Sequence, residues 1–535
     1  MKRLVATVTL GVFIITTIPY IFGYASAGPD SHFTGIVFDV SDTAQYFAWM
    51  RSFSDQVVIA NPLTPEPGSD RFFNLQWWLL GLLAFKTPLG AIIVYQLLRI
   101  AALAGFAVAL AWFCERVAPR NARLSFVLIM LASGFGWMLV ALKYLGVTAD
   151  VRYPLDVYIG EANTFFSAMA FPHLLVAAAA LLTIFVLFLR ATGPRRWTHS
   201  AALVVITLAL GFSHGYDLIP AFAIPAVTAG ILSLRERRIS EYAWPATAIL
   251  IGGIPPGLYV LALTRLDSTW AGVLDQYGNA GVYSPSPPHL VILLGLPLLL
   301  ALPQLHPRRW KSASVNELFL RVWAVVGFFL LYIPTDYQVK MLIAYQVPIG
   351  ILAASTITEY VTGWNRPRLI VNMPRVRTAF IISLVAFVAL TNVYLTGWRV
   401  VDLRRQNYPY YLAREDVQAL EQLETVASDG DVVLASPRIG LFVPVYSDAR
   451  PYVAHWAQTL HFYQRRYVAR WFYSQEITAS ERSSLLSSQN IAYVIAGPAE
   501  MAFVEGHSLP HFQLEPLYGS STVLYGVPRD SSRAP

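Results

Sequence analysis

The sequence predicts an all-α polytopic membrane bundle of about eleven transmembrane helices, followed by a small soluble α/β domain. Three observations carry that expectation. Of 535 residues, 56% are hydrophobic and only 13% charged, about half the charged share of a typical soluble chain. Apolar runs of membrane-spanning length recur up to about residue 400. Past residue 404, strand-like and amphipathic-helix patterns replace those runs.

In chain order, the first element is the apolar stretch 4–22. MKRL before it and Ala25-Ser26-Ala27 after it look like a cleavable signal, but the stretch is as long as a spanning helix, so it reads as a retained anchor. A long first loop, 23–88, follows. Within it FFNLQWWLLGLLAF (72–85) reads as a short interfacial helix with Trp77 and Trp78 at headgroup depth. Further spans are read at 89–113, 124–144, 166–189, 201–212, 218–234, 243–263, 289–301, 319–333, 341–360 and 379–395. The basic clusters, at Lys2 and Arg3, 115–123, 190–196, 235–238, 308–311 and 366–377, then all fall on one side. This puts the N-terminus in the cytoplasm and the domain 404–535 outside, beyond a membrane domain of 1–400. In that domain 416–427 reads as an amphipathic helix, DVVLAS (431–436) as a buried strand, 455–473 as a helix and IAYVIAG (491–497) as a second strand.

The formal net charge of +7 does not mark a nucleic-acid partner, because Arg and Lys form no continuous basic face. The single cysteine, Cys114, excludes a disulfide framework and a Cys-based metal site.

Ionisable groups converge on the outer side. Asp39, Asp42, Glu66 and Asp70 lie in the first loop; Asp150, Arg152, Asp156 and Glu161 precede the span at 166, with His173 just inside it. His214, Tyr216 and Asp217 occupy a tight turn, 265–288 forms an aromatic-rich loop, and Asp336, Tyr337, Gln338 and Lys340 precede the tenth span. Such groups at a membrane edge are costly unless paired or working.

The stretch GIVFDVSDTAQYFAWMR (35–51) is the densest candidate, with Asp39, Asp42, Tyr46 and Arg51. On a helix the two carboxylates would share a face and raise each other's pKa; each could equally cap the helix that follows. Lys340 at the start of a span suits a lipid phosphate or simple snorkelling. His173 suits a ligand role or an interhelical hydrogen bond, and His214 with Asp217 forms a His–Asp pair able to orient an imidazole. His455, Gln458, Thr459, Arg465 and Arg466 gather with Trp456 and Tyr463 on the predicted helix 455–473, where they could cover a cleft, hold a glycan or dock on the sheet. No HExxH or paired-Cys spacing occurs, so no metal or other cofactor is predicted, although Asp, His and Glu ligands leave a divalent ion open. Gly35, Gly68, Gly134 and Gly136 make no phosphate-cradling pattern, which leaves nucleotide-sugar use unsupported.

DTAQYFAWMR (42–51), NPLTPEPGSDRFFNLQWWLLG (61–81), FPHLL (171–175), SHGYD (213–217) and YQVKMLIAYQVPIGILA (337–353) together resemble the GT-C glycosyltransferases. The subgroup they resemble is that of the bacterial relatives of protein mannosyltransferases and lipid A aminoarabinose transferases, glycosyltransferase family 39-like. The adjacent Asp-Glu pair of the eukaryotic mannosyltransferases and the His/Lys-Pro-Pro that often opens the interfacial helix are absent. The resemblance implies transfer of a sugar from a polyprenyl phosphate to an acceptor hydroxyl at the outer face of a bacterial plasma membrane, with inversion.

Under that chemistry Asp42 is the expected base and Asp39 the alternative. Lys340, His173, His214, Tyr216 and Asp217 are expected at the donor phosphate and lipid, and Tyr46, Arg51, Glu161, Gln338 and His455 at the acceptor or cleft. The expected partners are the bilayer, the polyprenyl-phosphate sugar and an acceptor glycan, lipid or protein. A transporter or flippase, or a non-catalytic scaffold for envelope glycan assembly, is the alternative. Transporters tend to show repeated halves and mid-membrane charges; this chain shows no internal repeat, and its ionisable groups sit at one edge.

Overall fold

The computed structural model describes residues 1–147, 155–280, 283–362, 374–506 and 508–528. Asp150, Arg152 and the part of the basic cluster 366–377 that precedes residue 374 lie outside the described residues.

Among the described residues, 8 helices are long and apolar enough to cross a membrane: α1 (Lys2–Ser26), Gly90–Val117, Ala122–Tyr144, Pro172–Arg190, Gly215–Glu236, Ala243–Leu266, Pro287–Leu305 and Gln338–Val361. The pair Arg375–Val388 and Leu390–Arg404, bent by 45°, makes 9 if it is one span. The two other segments read as spans, 201–212 and 319–333, are helical as well, within Arg196–Ser213 and Val315–Leu330. The first of these opens on Arg196 and His199 and the second carries Glu317 and Arg321. The chain is a multi-pass integral membrane protein. Leu10, Ile14, Ile18 and Ile21 stay exposed along α1, the surface expected of a helix that meets lipid.

The chain divides into two compact units. The first comprises Met1–Pro19, Gln96–Val260 and Gly281–Val401. Its core is aromatic: Trp323 lies edge-on to Phe185 at 4.7 Å and to Phe113 at 5.6 Å, pairs worth about 0.5–1.5 kcal/mol each beyond their buried area. Three helices of this unit are interrupted. Ala122–Leu131 stops and resumes as Gly136–Tyr144, Pro287–Ala301 is kinked at Gly295, and the bent pair breaks at Ala389.

The second unit comprises Tyr20–Tyr95, Leu261–Ala280 and Asp402–Pro535, so the first loop and the C-terminal segment fold together. The strands of this unit are β1 (Ser31–Phe33), β2 (Tyr411–Ala413), β3 (Val432–Leu434), β4 (Arg450–Pro451), β5 (Ile491–Ala496), β6 (Glu515–Tyr518) and β7 (Val523–Gly526). β1 pairs antiparallel with β2, His32 opposite Leu412. The other five form one sheet of order β4-β3-β5-β7-β6, with β3 parallel to both β4 and β5 and the remaining pairs antiparallel. Helix Phe462–Tyr473 covers it, and the buried Tyr473 hydroxyl meets the carbonyls of Leu434 (2.9 Å) and Ile495 (2.7 Å).

Two helix boundaries differ from expectation. The helix expected from residue 72 is α3 (Leu75–Phe85): Asn74 is its cap, accepting from the Trp77 N–H. The helix expected from residue 455 starts at Phe462, because His461 takes a left-handed conformation (φ 55) that no helix continues through. His455, Gln458 and Thr459 are therefore loop residues, separate from the helical face of Arg465 and Arg466.

Candidate active site

In the second unit, α2 (Val40–Asp55) carries the densest candidate stretch. Asp39 is its N-cap: it stands in the left-handed region (φ 47), and its carboxylate accepts from the Asp42 N–H at 3.5 Å. An acid at this position satisfies a backbone donor the helix cannot. Asp39 thus stands outside the helix whose first turn holds Asp42, which removes the face-sharing argument and gives Asp39 a capping role in place of the alternative base.

Asp42 is partly open, with its side chain 39% exposed, and Oδ1 lies 3.1 Å from Nε2 of His455, whose side chain is only 2% exposed. On the far side of that ring, Nδ1 accepts from the Ala457 N–H at 3.1 Å. A neutral imidazole that accepts at one nitrogen carries its proton on the other. His455 therefore donates from Nε2 to Asp42.

The loop that presents His455 is fastened to the first loop. Thr459 Oγ1 donates to Leu63 O (2.6 Å) and accepts from the Ala454 N–H (3.1 Å), and the Asn61 amide donates to Gln458 O (3.0 Å). Ala48, Leu63 and Ala454 close together beneath it.

Tyr46 stacks on Trp77 with ring centres 4.3 Å apart and planes within 12°. At the same contact Gly81 lets α3 approach the Met50 carbonyl, where a Cβ would collide. Arg51, expected at the acceptor or cleft, instead forms ion pairs with Glu424 (3.0 Å) and Asp448 (2.9 Å). It fastens α2 to the C-terminal segment; a guanidinium with two carboxylates at hydrogen-bond distance is a structural cation.

In the first unit, three short turns adjoin: Gln338–Leu342 lies against both Gly160–Ala162 and Gly215–Asp217. Lys340 Nζ is 2.6 Å from Glu161 Oε1, and Glu161 is largely buried. Glu161 is thus the lysine's counterion, a different place from the acceptor role expected of it. His214 Nδ1 is 2.8 Å from Oδ2 of the fully buried Asp217, the His–Asp pair the sequence suggests. His173 lies beside His214 with ring centres 5.9 Å apart, and Tyr216 packs on Tyr337 at 4.7 Å. Gln338 departs from its expected place at the acceptor or cleft. Its amide donates to Ile333 O (2.9 Å) and accepts from the Ser284 N–H (3.1 Å), so it shapes the turn that bears Lys340.

The two pairings that define these groups were not visible in sequence. His455 and Asp42 are 413 positions apart and Lys340 and Glu161 are 179; no local spacing joins residues so distant. Chemically, a half-exposed carboxylate oriented by an imidazole N–H can accept a proton, and a lysine flanked by histidines and a tyrosine offers donors to a phosphate. Among the described residues, no group of three His, Cys, Asp or Glu side chains is placed to hold a metal ion.

No family model matches the chain, and no curated protein matches it. Solved structures do. ArnT from Cupriavidus metallidurans in the apo state superposes with a TM-score of 0.52 at 13% identity, over 97% of this chain and 98% of that one. The apo oligosaccharyltransferase of Archaeoglobus fulgidus gives 0.52 at 13%, over 92% and 69%. The same enzyme tethered with an acceptor peptide containing the NVT sequon gives 0.50 at 14%, over 95% and 71%. These are GT-C glycosyltransferases, and the chain shares their fold.

Proposed function

We propose that this chain is a membrane glycosyltransferase that moves a sugar from a polyprenyl-phosphate donor to an acceptor hydroxyl at the outer face, inverting the anomeric centre. The observation that carries the reading is the Asp42 carboxylate, partly open and held by the Nε2–H of a buried histidine. The shared GT-C fold supports the reaction class.

In this reaction Asp42 takes the proton of the acceptor hydroxyl as its oxygen bonds to the anomeric carbon. The bond from that carbon to the phosphate oxygen breaks, and polyprenyl phosphate leaves with the electron pair. His455 keeps the carboxylate aimed. Lys340, steadied by Glu161, is assigned to the donor phosphate together with His173, His214 and Tyr216, and Asp217 holds the His214 ring. The proposed orientation puts the N-terminus in the cytoplasm, as the basic clusters suggest, in a bacterial plasma membrane.

Purified protein in lipid nanodiscs, given a panel of radiolabelled polyprenyl-phosphate sugars and acceptors from membrane extract, is expected to form labelled product with the opposite anomeric configuration. Movement of the lipid-linked sugar between leaflets without product would establish a transporter instead.

A further inference from the structure

The three interrupted helices of the first unit meet, and their exposed backbone groups satisfy one another. Ser133 N donates to Val388 O (2.7 Å), Phe135 N to Ile292 O (2.7 Å) and Thr391 Oγ1 to Gly134 O (3.3 Å). Broken helices inside a membrane protein persist only where such partners are supplied. Two further N–H groups, those of Gly134 and Gly136, are taken by one side chain: Asp156 accepts from them at 2.6 Å (Oδ2) and 2.9 Å (Oδ1) and is fully buried. A Cβ on Gly136 would occupy the place of the Asp156 carboxylate, which accounts for glycine there.

Asp156 belongs to the segment 155–163 between two spans. The far end of this segment is fastened to the same junction. Asn163 Nδ2 donates to Asn392 Oδ1 (2.9 Å), and Asn392 donates in turn to Leu131 O (2.6 Å) at the first helix break. Between the two fastenings stands Glu161, 2.6 Å from the Lys340 ammonium. The segment is a strap secured at both ends, with the lysine's counterion in its middle.

We propose that Asp156 and Asn163 are positioning residues: they hold Glu161 against the broken-helix junction and so set where Lys340 presents its ammonium. The inference rests on the assignment of Lys340 to the donor phosphate. Loss of a side chain that orients a binding group through another typically weakens binding by about 10- to 100-fold.

The test is the affinity of a short polyprenyl phosphate for the full chain in nanodiscs, with KM and kcat for the sugar-bearing donor measured alongside. Asp156→Asn is expected to weaken binding about tenfold and to raise KM far more than it lowers kcat. The same change made on Glu161→Gln is expected to add less than about twofold, because residues acting through one group are not additive. Should Asp156→Asn fail to accumulate, Asn163→Ser serves in the same cycle: serine still caps the helix at Thr164 but does not reach Asn392. Unchanged binding in Asp156→Asn or Asn163→Ser, or losses that multiply in the double variants, would overturn the inference. Lys340→Ala binding as tightly as the wild type would overturn the phosphate assignment, and the inference with it.

Discussion

The proton on His455 Nε2 decides how Asp42 is presented. Because Nδ1 is engaged by the Ala457 N–H, the ring has one tautomer that satisfies both contacts. His455→Gln shortens the reach between those contacts and loses one of them. Its kcat is expected to fall about 10- to 100-fold with the donor KM little changed, measured by steady-state transfer normalised to membrane abundance. At this scale the sequence was half legible. Asp42 stood out because it precedes an aromatic stretch beside the first span, but Asp39 carried the same signal. Only the backbone at Asp39, left-handed and capping, separates the two. Arg51 was misplaced for a related reason: an arginine near acids reads as part of a site until the partners that neutralise it, Glu424 and Asp448, are known.

Elements were legible where they are long and apolar. Each apolar segment read as a span is helical, because hydrocarbon length and periodicity are properties of the segment itself. The breaks at 132–135, Gly295 and Ala389 were not legible. Each depends on partners supplied by the others. The expected start of a helix at residue 455 failed similarly, since the aromatic pattern runs on across a left-handed His461.

One junction between elements makes a pH prediction. Glu500 joins the end of β3 to the turn after β5, accepting from Ser436 N (3.0 Å), Ser436 Oγ (2.6 Å) and Gly497 N (3.1 Å). Burial pushes its carboxyl up from 4.5 to about 7. A carboxyl raised in the folded state contributes stability that is full below about 4.5 and is lost as pH rises through about 7. Amide protection factors in β5 are therefore expected to fall between pH 5 and pH 8, and Glu500→Gln is expected to flatten that dependence. A slope unchanged in Glu500→Gln would show that another group titrates.

For the whole molecule, composition announced a membrane chain and a change of character after residue 404. It could not announce that the first loop folds with the C-terminal segment. That union follows from contacts such as β1 with β2 and Thr459 with Leu63, which join residues more than 370 positions apart. Its consequence is functional: a carboxylate from the start of the chain receives its orienting imidazole from near the end. The sharing of the GT-C fold with ArnT and the archaeal oligosaccharyltransferase fits a chemistry in which a few side chains on such a scaffold do the work. The central claim is that Asp42 is the base of glycosyl transfer, and one measurement addresses it most directly. The rate of sugar transfer in nanodiscs is compared between the wild type and Asp42→Asn at equal abundance and with equal binding of the lipid donor. The account predicts a loss of about a hundredfold or more, up to about ten-thousandfold, with the donor still bound. Transfer by Asp42→Asn at the wild-type rate would contradict it.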